Sequence, residues 1–134
     1  MPAPAPGEVL IRVRAAGVNF ADVLGRLGVY PDAPKLPYVP GYEVAGSVER
    51  AAPDVTGVAE GDRVMAITAF NGYSEYVTVP AWRAFPVPAR LSDAEAASIP
   101  VVYMTAAIAL YRMANVAAGE TVLIHNAGGG VGIA

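Results

Sequence analysis

The chain's twelve prolines and fourteen glycines are unevenly spread: most punctuate the first ninety residues, and none falls between 101 and 118. Proline fixes φ and lacks an amide donor, and glycine supplies turns, so long helices are ruled out of the first ninety residues. The distribution predicts strands and loops first and helix later. Val9, Ile11 and Val13 alternate with Leu10, Arg12 and Arg14, the period of a strand with one buried face, ending at Gly17. Phe20, Val23, Leu24 and Leu27 recur at helical spacing between Asn19 and Gly28. A stiff loop with Pro31, Pro34, Pro37 and Pro40 follows. Further strands are predicted over 43–50, 63–68, 75–79 and 84–87, with a turn at Gly57–Gly61. Several short strands between turn signals point to a small barrel or sandwich.

The character changes at Ser92-Asp93-Ala94-Glu95, a capping box in which Ser92 accepts from the Glu95 amide and Glu95 reaches back. A short helix should follow and stop before Pro100. Strong helix formers run from Val102 to about Val116, and Gly119 is placed to end that helix. Thr121-Val122-Leu123-Ile124 is a continuous apolar run, the pattern of a strand buried on both faces. It leads directly into Ala127-Gly128-Gly129-Gly130-Val131-Gly132.

Composition narrows the function classes. A length of 134 residues corresponds to about one domain. A content of 54% hydrophobic and 16% charged residues excludes a disordered chain. A net charge of -3 with nine scattered Lys and Arg gives no basic face for nucleic acid. Zero cysteine excludes disulfides and thiolate metal sites, and one histidine argues against a His-based zinc site. The uncharged stretch from Ala96 to Tyr111 carries Pro100 and is shorter than a membrane span. The start lacks the regions of a signal peptide. The expectation is a soluble, cytoplasmic protein with no membrane span.

A buried parallel strand entering a glycine-rich turn is the opening of a dinucleotide-binding unit. One glycine makes the tight turn, another admits the pyrophosphate, and a third lets the next helix pack on the strand. The spacing is Ala127-x-Gly129-x-x-Gly132, with alanine in the first place. A plain glycine-rich turn is the structural alternative.

Three further stretches join this one: Ala15-Ala16-Gly17-Val18-Asn19-Phe20-Ala21-Asp22, Pro40-Gly41-Tyr42-Glu43-Val44-Ala45-Gly46 and Gly61-Asp62-Arg63-Val64. Together with Gly119-Glu120-x-x-Leu123-x-x-x-Ala127-Gly128-Gly129-Gly130-x-Gly132, they resemble the zinc-free quinone oxidoreductases (zeta-crystallin type) of the medium-chain dehydrogenase/reductase superfamily. Vesicle amine transport protein homologues are the nearest branch by this resemblance. Enoyl-reductase domains of polyketide synthases come near through Val18-Asn19-Phe20-x-Asp22-Val23-Leu24 and Ser98-Ile99-Pro100-Val101-Val102.

The resemblance implies a fold and a division of the chain. A mainly β GroES-like barrel domain with its connecting helix would occupy 1–115. The first strand and glycine-rich turn of an α/β Rossmann domain would occupy 116–134. Family members are more than twice as long, so the resemblance implies an N-terminal, truncated portion that is inactive alone and binds NADPH weakly or not at all. Zinc-dependent members place a cysteine at the position of Asn19 and a histidine at that of Tyr42. An amide and a phenol cannot supply a closed N/S zinc shell, which favours the zinc-free branch.

The activity so implied is NADPH-dependent, zinc-independent reduction of a quinone, enone or other conjugated carbonyl, with NADH not excluded. Asn19, Tyr30 and Thr105 would line the nicotinamide end as catalytic residues, and Tyr30 and Thr105 would also touch the cofactor. Gly128, Gly129, Gly130, Val131 and Gly132 would hold phosphate, and Tyr42 would line the substrate site. Each has an ordinary reading beside this one: Asn19 as a helix cap, Tyr30 and Tyr42 as packing aromatics, Thr105 as a helix-start hydroxyl. His125 reads as structural, and Asp22, Glu43 and Asp62 as structural carboxylates. Two alternatives stand beside quinone reduction: an enoyl-thioester reductase domain, and a non-catalytic fragment with a structural or partner-binding role. A homodimer is the family's expectation for the full-length form.

Overall fold

The computed structural model describes residues 1–134. Five strands form one sheet: β1 (Glu8–Ala16), β2 (Glu43–Ala51), β3 (Arg63–Ile67), β4 (Tyr76–Pro80) and β5 (Ala84–Pro86). Their order is β4-β1-β2-β3-β5, all pairs antiparallel. The strand expectations hold to within one or two residues at most ends. Val9 and Ile11 of β1 join Val44 and Val48 of β2, Val64 and Ala66 of β3, Val77 and Val79 of β4, and Ala84 of β5 in one buried cluster. The two edge strands contribute to the same cluster as the centre, so the sheet curls around it as a half-barrel. Full burial of each such aliphatic side chain stabilises the fold by about 1.5–3 kcal/mol. Leu10, on the alternate face of β1, is also fully buried.

On the other face Ala45 packs against Ala96 and Ala97 of helix α2 (Asp93–Ala97). The predicted capping box is present: Ser92 Oγ accepts from the Glu95 amide, and Glu95 Oε2 accepts from the Ser92 amide at 2.8 Å. The Ser92 amide and the Ser92 hydroxyl, which donates to Glu95 Oε2 at 2.7 Å, hold the Glu95 carboxyl below the usual carboxylate range. Helix α3 (Pro100–Ala107) starts with proline at its first position, where no amide is needed, and continues as π-helix over Ile108–Met113. The helical run Asp93–Met113 is long and apolar enough to cross a membrane by length and composition. It is interrupted at Ser98 and Ile99, and Ala96 and Ala97 tie its first turns to the sheet.

Two expectations are corrected, and a third element buries residues that the spacing did not single out. Helix α1 (Phe20–Arg26) forms where the spacing placed it, but its buried residues are Asp22 and Gly25. Phe20 is 75% exposed, because the inward face is organised by hydrogen bonds to Asp22 and not by the apolar stripe. The connecting helix ends at Met113, not near Val116. Asn115, a residue that tolerates positive φ, adopts φ 50 there, and Gly119 serves a later turn. The strand expected at Thr121–Ile124 does not form, and Leu123 is 81% exposed. A strand buried on both faces needs neighbours for its ladder and helices for its faces. None of the five strands pairs with it, and no residue after Pro100 is buried. The glycine-rich turn nevertheless opens a short helix, α4 (Gly130–Ile133).

Candidate active site

Asn19 is the N-cap of α1, immediately after β1 ends. Its backbone amide donates to Asp22 Oδ2 at 2.9 Å. Its side chain points elsewhere: Nδ2 donates to Glu43 Oε1 at 2.8 Å. The backbone of Asn19 thus caps α1 while its side chain reaches Glu43.

Glu43 opens β2 at the centre of the sheet and is 2% exposed. Its second oxygen, Oε2, accepts from the Val101 amide at 2.8 Å, one of the otherwise unsatisfied amides of α3. Burial pushes the Glu43 carboxyl above the usual carboxylate range. The Val101 and Asn19 bonds oppose that rise, and the nearby Asp22 carboxylate adds to it. No cation pairs with it, since the ion pair of the chain joins Arg63 to Asp93 on the surface. Gly17 makes the room: a Cβ there would meet Glu43 Oε1 and the Ala97 carbonyl.

Two adjoining cavities meet at Asn19. One, of ≈ 420 Å³, lies between the β1–α1 junction, Glu43, the start of α3 at Ile99, and Gly130. The other, of ≈ 370 Å³, shares Val18, Asn19, Val102 and Gly130 with the first and is closed by Gly129, Val131 and Gly132. His125 also lines the second cavity. A Cβ on Gly132 would meet the Asn126 carbonyl and Ala127, so the tight turn requires glycine there. Four of the five residues read as phosphate-holding thus share a wall with Asn19. Gly128 stands outside both cavities.

Tyr30 and Tyr42 lie in an aromatic cluster apart from those walls. Their rings meet edge to face at 6.0 Å, and Tyr42 also packs on Phe70 at 5.1 Å. The Tyr42 hydroxyl is buried without a hydrogen-bond partner. Burial and the adjacent Tyr30 push its pKa up to about 12, so the phenol keeps its proton at neutral pH. Thr105 is exposed on α3, a turn beyond Val102, and borders neither cavity. The chain therefore brings Asn19 together with the glycine turn, and does not bring Tyr30, Tyr42 or Thr105 to the same walls. No group of three or more His, Asp or Glu side chains is placed to hold a metal ion.

Glu43 is the site residue that pattern reading passed over as structural. An acidic residue at the mouth of the apolar strand Glu43-Val44-Ala45 was the available signal. The walls at Gly17, Val18 and Val102 had none.

The family model of the alcohol dehydrogenase GroES-like domain matches residues 5–89. The human synaptic vesicle membrane protein VAT-1 homolog-like is 44% identical over 132 residues, which are 98% of this chain and 32% of that protein. The pig quinone oxidoreductase is 43% identical over 135 residues, 100% of this chain and 41% of that protein. The chain thus spans less than half the length of these curated relatives. The quinone oxidoreductase of Thermus thermophilus, solved alone and with NADPH, superposes with a TM-score of 0.82 at 40% identity, covering 98% of this chain and 40% of that one.

Proposed function

We propose that this chain, which belongs to the alcohol dehydrogenase GroES-like domain family, forms one wall of the active site of an NADPH-dependent reductase of quinones or other conjugated carbonyls, acting without a catalytic zinc. The observation that carries the reading is the shared cavity of Asn19 and the turn at Gly129, Gly130, Val131 and Gly132. A turn whose glycines leave no room for Cβ atoms lets a pyrophosphate approach the backbone. NADPH, when bound, supplies the hydride.

The protein's own part is binding and orientation. The 129–132 backbone holds phosphate. The Asn19 amide orients the group that enters between the two cavities. Tyr42 and Tyr30 pack edge to face outside both cavities, so they take no part in holding the acceptor there. The donor set argues against zinc: Asn19 offers only a neutral amide oxygen and Tyr42 a protonated phenol, neither of them a thiolate or imidazole of the kind that closes a zinc shell.

The test follows the backbone resonances of Asn19 and Gly132 as NADPH is added to the isotope-labelled chain. Shifts confined to these walls at millimolar NADPH support the reading, and shifts confined to other faces of the chain overturn it. NADPH oxidation with a benzoquinone, an enone and an enoyl thioester then ranks the acceptors. A clear preference for the thioester would transfer the protein to the enoyl-reductase reading.

A further inference from the structure

Glu43 is buried, lines the larger cavity, and has hydrogen bonds at both oxygens. One of its donors is a backbone amide and cannot turn. The other is a side-chain amide and can. Asn19 presents Nδ2 to Glu43, and its Oδ1, beside the Asp22 amide in the capping box of α1, makes no hydrogen bond of full strength there while the residue borders both cavities. A carboxylate accepts only, so it dictates which end of the asparagine faces it.

We propose that Glu43 is a positioning residue whose carboxyl holds the Asn19 amide with its oxygen toward the cavity, so that this wall selects a ligand group donating an N–H or O–H. The ligand-selection part rests on the cofactor reading above, and the positioning part stands on the Glu43 contacts alone. The surroundings are built for it. Gly17 lacks the Cβ that would displace Oε1, and the Val101 amide anchors Oε2 so that the carboxyl cannot swing away. Breaking this arrangement isosterically has a defined consequence. In Glu43→Gln the side-chain oxygen must stay on the Val101 amide, because two N–H groups cannot face each other. The new amine then faces Asn19, which turns over to offer Oδ1 and sends its own N–H groups into the cavity.

The experiment uses the labelled 134-residue chain. The Asn19 side-chain amide is identified by its loss in Asn19→Ser. In the wild-type chain a through-hydrogen-bond coupling between Asn19 Nδ2 and Glu43 Cδ is expected, a reading that needs no Glu43 variant. Its absence overturns the proposal. In Glu43→Gln the Asn19 amide protons should move to free-amide positions while the sheet resonances of Val9, Ile11 and Val64 stay in place, and unmoved Asn19 amide protons overturn it equally. Affinities for NADPH and for its reduced 3-acetylpyridine analogue, which keeps a carbonyl and lacks the carboxamide N–H, give the functional readout. The wild-type chain should prefer NADPH by about tenfold, the worth of one hydrogen bond. Glu43→Gln should abolish or invert that preference, whereas a preference of unchanged size refutes the selection. If the wild-type chain binds neither dinucleotide, the cofactor reading of the cavity fails, and the coupling and amide shifts decide on Glu43 alone.

Discussion

The Tyr73 hydroxyl donates to Asp22 Oδ2 at 2.9 Å, across 51 positions of sequence. The same carboxylate accepts the Asn19 amide at Oδ2 and the Gly41 amide at Oδ1, each at 2.9 Å. One buried side chain on α1 therefore fixes the helix start, the end of the proline-rich loop and the segment before β4. Asp22→Ala leaves three donors facing a void, each worth about 1–3 kcal/mol when buried and unpaired. We expect a fall in thermal stability large enough to unfold much of the chain at about 37 °C. Asp22→Asn, which keeps one acceptor, should lose less in a denaturant titration. Equal loss for the two variants would show that the bonds contribute little.

Gly17→Ala should destabilise the chain by about 1–3 kcal/mol, the usual cost of overpacking, since its Cβ would meet Glu43 and the Ala97 carbonyl. Gly128→Ala meets nothing within 4 Å and should melt like the unsubstituted chain. Thermal melts of the pair decide the matter, and a stable Gly17→Ala would contradict the contact.

The two shifted glutamates predict opposite pH responses. Glu43 has its carboxyl raised in the folded state by burial. The folded chain then binds more protons than the unfolded one, so stability from this group is full below the ordinary glutamate range and is lost as pH rises through the folded value. Glu95 is lowered by its Ser92 bonds, so its contribution is present above the ordinary range and lost as pH falls through the folded value. In urea titrations across roughly pH 3–8, Glu43→Gln should remove the decline on the rising side and Ser92→Ala the decline on the acid side. A Glu43→Gln profile parallel to wild type would refute the first assignment.

Tyr42→Phe removes a buried hydroxyl that has no partner to lose. Stability should stay the same or rise by up to about 1 kcal/mol, because an unpaired polar atom leaves the interior. A marked loss of stability would mean that the hydroxyl is bonded in solution.

Local pattern sufficed for the strands, for Ser92–Glu95 and for the glycine turn. Period-2 burial, capping chemistry and Cβ-free turns are properties of neighbours in sequence. It placed α1 but left its buried side undetermined, because Gly41 and Tyr73 recruit Asp22 from far along the chain. It failed at Thr121–Ile124, since a ladder is made between segments and no strand pairs with this one.

Residue type alone established a proline-broken β domain, the lack of thiolate or multi-histidine metal ligands, and a glycine-rich turn opening a helix. Assembly decided the rest. Folding set Glu43 between Asn19 and Val101, residues 24 and 58 positions away, and so converted a strand-initiating glutamate into part of a cavity wall. The reason is physical: buried hydrogen bonds are satisfied in space, and the partners that satisfy them are not recorded in the spacing of either segment.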